Sequence, residues 1–150
     1  MKWSLPILFM LVASGPVWAV LPWGLTPAED AMCKARVAGR DKSDTRNWMH
    51  MHHYCDGLRF YSRALASTTN RSDFSYYIKE SIGGYDYVLR NTSQDFYMRP
   101  EVMAEKARAL SLAGRKAEAV SLYSTVVNQS PNFVPAYLFL ADHYANSNRN

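Results

Sequence analysis

Three histidines fall within four positions, in the run Trp48-Met-His-Met-His-His-Tyr-Cys-Asp-Gly-Leu58. Imidazole is a metal ligand and changes charge near neutral pH, so such a cluster could hold an ion or move a proton. On a helix His50 and His53 share a face, and His52 faces Asp56 one turn later, so either pair could bind a divalent metal. A metal site needs three or more converging ligands, and this segment offers two per face. His52, Asp56, Arg59 and Arg63 also recur at i, i+4, i+7 and i+11, the pattern of a solvated helix face with paired charges. Ligand number therefore favours structural or partner-contacting histidines. His50, His52, His53 and Asp56 stand as an alternative metal- or cofactor-binding set, and no resident cofactor is expected.

The other reactive side chains are Cys33 and Cys55, the only two cysteines. No CxxC exists, which excludes that redox motif, and no CxxCH exists, which excludes covalent c-type haem. How the pair is read depends on the compartment. Met1-Lys2 supplies one positive charge, Leu5 to Ala13 is almost wholly apolar, and Ser14-Gly15-Pro16 breaks any helix. Val17-Trp18-Ala19 then places small residues at the minus-three and minus-one positions of a cleavage site, the pattern of a secretory signal peptide. The apolar core is too short to span a bilayer as a helix, so an uncleaved membrane anchor is the weaker reading. The mature chain is expected to begin near Val20, to be periplasmic or secreted, and to have no stable membrane span. In an oxidising compartment Cys33 and Cys55 are expected to form a disulfide, with free thiols or metal ligation as alternatives.

Without Lys2 the chain carries 16 basic and 13 acidic side chains, a formal +3. That excess is too small and scattered for a nucleic-acid footprint. No GxSxG, P-loop, GxGxxG after a strand or HExxH is present. Adjacent Asp142 and His143 point in different directions on a helix. No enzyme is expected.

These residues must be positioned by helices, since no β-rich run or hairpin turn occurs. Residues 20–43 contain Pro22, Gly24, Pro27 and Gly39 and read as an irregular arm carrying Cys33, with a short helix from Pro27 to about Val37. Asp44 or Thr45 can cap a helix through Trp48, Met51, Cys55, Leu58, Ser62 and Leu65. Ser72 can cap the next, with Phe74, Tyr77, Ile78, Ile82, Tyr85, Val88 and Leu89 on one face. Gly83-Gly84 inside that pattern predicts a bend or a close contact with a neighbour. Residues 44–98 thus form a degenerate first hairpin.

Residues 99–133 and 134–150 carry a repeat. Met103, Ala107, Leu110, Gly114, Ala119, Tyr123, Val126 and Pro131 are followed by Tyr137, Leu140, Ala141 and Tyr144. Met103 to Tyr137, Ala107 to Ala141 and Leu110 to Tyr144 each span about 34 positions, the period of the tetratricopeptide repeat (TPR), and the segment resembles that family. Small Ala107, Ala119 and Ala141 allow close helix approach, Gly114 ends a first helix, and Pro131 stops a second. The expected fold is all-α, a short TPR-like solenoid of antiparallel helical hairpins. Residues 134–150 supply the first helix of a further repeat or a terminal capping helix.

Met51-His-His-Tyr-Cys-Asp-Gly-Leu58, with Arg63-Ala64 and Tyr85-Asp-Tyr-Val-Leu89, is similar to a group of exported, uncharacterised bacterial TPR proteins. There an upstream Cys, here Cys33, precedes a His-His-Tyr-Cys helix and TPR units follow. The resemblance implies a binding scaffold or adaptor whose concave face holds a protein or peptide segment of an envelope or secreted complex. First helices line that face and would bring Tyr54, Leu58, Tyr61, Arg108, Leu138, Asp142 and Asn146 together. Its rings and guanidinium suit a mixed apolar and acidic ligand segment. The Lys/Asn arrangement of chaperone-type carboxylate clamps is absent.

Overall fold

Why the chain turns where it does is legible in its caps. The structure is a computed structural model that describes residues 25–147. The signal peptide expected over residues 1–19 and the start of the arm lie outside the described residues. Helix α1 spans Pro27–Arg36, α2 Thr45–Trp48, α3 Met51–Ala66, α4 Arg71–Asn91, α5 Arg99–Leu112, α6 Lys116–Gln129 and α7 Val134–Ser147, and no strand occurs among the described residues. The architecture is all-α, as expected.

Thr26 opens α1 with a capping box. Its hydroxyl accepts from the Glu29 amide at 3.2 Å, and the Glu29 carboxylate accepts from the Thr26 amide at 2.8 Å. Asp44 caps α2 by accepting from the Asn47 amide. The single helix expected from here to Leu65 is instead broken at Met49-His50. Buried Asn47 explains the break: its amide donates to Asp44 and Ser93 and its carbonyl accepts from the Ser93 amide, tying α2 to the connection after α4. Trp48 also sits edge-on to Phe96. These long-range contacts redirect a segment whose local pattern favours continuous helix. The cap of α4 is Asn70, which accepts from the Ser72 and Asp73 amides, in place of Ser72.

Gly114 has φ +80°, a conformation that Gly reaches without steric penalty. The Arg115 amide donates to the Leu110 carbonyl and the Gly114 amide to that of Ser111, which is a Schellman stop for α5. Short connections over 67–70, 92–98, 113–115 and 130–133 return the chain so that each helix from α3 onward packs on the next. The α3–α4 contact is the closest. A Cβ built on Gly84 would lie 2.7 Å from the His53 carbonyl oxygen, and one on Gly57 would meet the Tyr85 ring. Of the two outcomes predicted for Gly83-Gly84, close approach holds, because α4 runs unbroken through both glycines.

The core contains Tyr54, Tyr85, Val88, Val102, Ala107, Ala119 and Val126, all fully shielded from solvent. Met103, Leu110 and Tyr123 join them, so every apolar position proposed for α5 and α6 is buried. On α7 the pattern changes. Tyr137 and Tyr144 are exposed and Ala136 is buried, because α7 rests on α6 along its Ala136–Phe139–Leu140 side, with Phe139 stacked 4.0 Å from Tyr123.

Candidate functional site: a charged, ring-lined groove beside helix α1

Helix α5 presents Glu101, Glu105 and Arg108 at i, i+4 and i+7, one face of a helix. Both carboxylates are largely buried, with side-chain exposures of 12% and 7%. Burial without a counter-charge would be costly, and three guanidiniums supply it. Arg40 donates to Glu101 at 2.6 Å, and Arg108 donates to Glu105 at 2.7 Å. Arg36 meets Glu105 at 3.1 Å and Glu101 at 3.8 Å as an ion pair. From below, the Tyr54 hydroxyl donates to Glu101 at 2.8 Å, and burial together with that carboxylate pushes its ionisation well above the ordinary tyrosine range. Arg108 also lies over the Tyr61 ring, 4.9 Å from its centroid.

Arg36, Arg40, Glu101, Glu105 and Arg108 form one wall of a cavity of about 500 Å³, completed by Tyr123, Phe133, Pro135 and Phe139. Its chemistry is charge and rings on fixed helices.

Two of the three guanidiniums come from α1 and the turn after it; α1 has no fully buried residue, Met32 and Val37 rest partly buried on the core, and polar contacts add to the segment's placement. Cys33 and Cys55 lie at disulfide distance, with Cα atoms 5.3 Å apart. Arg63 of α3 donates to both Glu29 oxygens, at 2.5 and 2.8 Å. Burial alone would push the Glu29 carboxyl up; the hydrogen bonds from Arg63 and Thr26 outweigh it and hold it at about 2. Arg63 is thus buried against α1, which corrects its reading as part of a solvated stripe.

Of the residues expected on the partner face, Tyr61 and Arg108 come together, and Arg108 lines the groove. Tyr54 and Leu58 do not reach the surface: both are core residues, because α1 and α5 cover this side of α3. Leu138 is exposed and Asp142 lies on the surface, but α7 contributes Pro135 and Phe139 to the groove in their place. The side chain of Asn146 lies outside the described residues. Arg36 and Arg40 were missed at the sequence level, whereas Glu105 is legible there as a carboxylate within reach of Arg108, and the two do pair. A signal was available for Arg36 alone: it lies at i+3 from Cys33 within α1, so a tether at Cys33 directs it to the tethered side, whereas Arg40 follows the end of the helix.

The histidines sit elsewhere. His50 precedes α3, and both His50 and His53 pack on Tyr87, with ring centroids 5.7 and 3.8 Å apart. His52 turns back to the Met49 carbonyl, so the residue near Asp56 is His53, at 3.9 Å. Burial, then the charge of His52, lowers the His53 pKa. Among the described residues no three His, Cys, Asp or Glu side chains are grouped as a metal ion would require. No described helix is long and apolar enough to cross a membrane. The chain matches no family model, no curated protein and no solved structure.

Proposed function

We propose that this chain is a non-enzymatic exported scaffold of the TPR type, binding a segment of another protein of an envelope or secreted complex. The observation that carries the reading is the groove: rings and Arg108 on and beside packed helices, faced by Arg36 and Arg40 from a segment that ion pairs hold against them, an arrangement that limits the entropy lost on binding. The TPR reading is supported by the 34-residue register, by burial of its apolar positions in α5 and α6, and by the Schellman stop at Gly114. Export is supported by the leader-like N-terminus and by the two cysteines at disulfide distance.

Affinity capture from envelope extract tests this function. Partner recovery should fall with Arg108→Ala and Tyr61→Ala, compared at a temperature at which both variants are folded, since Arg108 pairs with buried Glu105 and Tyr61 packs on the core. Recovery unaffected by both, but abolished by Ser121→Arg and Asn128→Arg on the exposed side of α6, would place binding elsewhere.

A further inference from the structure

The groove has unequal charges. Two carboxylates, Glu101 and Glu105, face three guanidiniums, Arg36, Arg40 and Arg108. Arg40 and Arg108 each donate a short hydrogen bond to one carboxylate. Arg36 lies between the two acids in ion-pair contact only, and its side chain is 43% exposed. It is the cation in excess. Its planar fork is suited to receive a carboxylate bidentately, a geometry that an ammonium or an amide would not match. Across the cavity, Phe133 and Phe139 offer apolar surface.

We infer that the groove takes an extended peptide segment carrying an Asp or Glu side chain next to an aromatic or large aliphatic one, with Arg36 as the residue that receives the carboxylate. This rests on the scaffold reading above and adds the ligand's chemistry to it. The carboxylate would restore neutrality in a partly desolvated wall, where charge complementarity acts more strongly than at an open surface. A basic segment would meet the excess positive charge instead. The receiving guanidinium belongs to α1, outside the helices that carry the repeat, so recognition depends on the segment that Cys33 and Glu29 fasten to α3.

The test is fluorescence anisotropy of the full mature chain with three sets of labelled octapeptides. The sets share random flanks and differ in a central Glu-Phe, Gln-Phe or Lys-Phe pair. The Glu-Phe set should bind at least about tenfold more tightly than the Gln-Phe set, the size of one charged hydrogen-bonded contact. Arg36→Gln should cut that ratio to under about threefold, because it lowers Glu-Phe affinity more than Gln-Phe affinity. Phe139→Ala should weaken both sets. Equal binding of Glu-Phe and Gln-Phe, or a preference for Lys-Phe, overturns the inference while leaving the groove as the binding site. A ratio that survives Arg36→Gln also overturns it. Binding by none of the sets, or binding indifferent to Phe139→Ala, overturns the groove reading itself.

Discussion

Two adjacent glycines in one helix have opposite roles. A methyl group on Gly83 would meet nothing within 4 Å, whereas one on Gly84 would press on the backbone of α3 at His53 and Gly57. Gly83→Ala should therefore stabilise the chain by roughly 0.5–1 kcal/mol through helix propensity alone. Gly84→Ala should destabilise it by about 1–3 kcal/mol, since a carbonyl oxygen cannot move aside as a side chain can. Urea unfolding of the two variants checks both signs. From the sequence, the pair could be read as a bend or a contact, but not which glycine makes the contact, because that depends on how two helices cross. Glu29 gives a second residue-level prediction. Its folded pKa of about 2 lies below the ordinary 4.5, so the stability it contributes is present above about 4.5 and is lost as pH falls toward 2. Chemical unfolding at pH 6, 4 and 2.5 should show wild type losing more stability than Glu29→Gln across that window. Parallel losses would mean the Arg63–Glu29 bond adds nothing.

Among the elements, α1 is the one held least by burial and most by fastenings. Forming a disulfide between Cys33 and Cys55, 22 residues apart, should stabilise the fold by roughly 3 kcal/mol on the chain-entropy model. Cys33→Ser and Cys55→Ser should each lower the melting temperature, and the purified exported protein should show no reactive thiol. Two titratable thiols in the folded protein would contradict this. Helices α4, α5 and α6 were legible in the sequence because their apolar stripes, the Gly114 stop and the Pro131 stop agree with one another. The arm was not, beyond its short helix. Its position is set by Arg63, Glu101 and Glu105, residues far along the chain whose partners no local pattern specifies. The same holds for the break at Met49-His50, where the Asn47–Ser93 hydrogen bonds override helical periodicity.

At the scale of the molecule, an acidic face of α5 and a basic segment near the N-terminus close on each other and leave a ring-lined groove alongside. The sequence placed Tyr61 and Arg108 correctly beside each other. It misplaced Tyr54 and Leu58 on the same face, because assigning a repeat register says which helix is inner but not what covers it. Here the arm covers α3, moving the accessible site toward α5 and α7. Photocrosslinking from defined positions in living cells tests the central claim most directly. Benzoylphenylalanine at Pro135, in the groove, or at Tyr61, under Arg108 beside it, should yield adducts with one partner segment that maps by mass spectrometry to a stretch with an acidic and an apolar side chain. The same group at Ser121 or Asn128 on α6 should yield none. Adducts confined to Ser121 and Asn128, with Tyr61 and Pro135 silent in folded protein, would contradict the account.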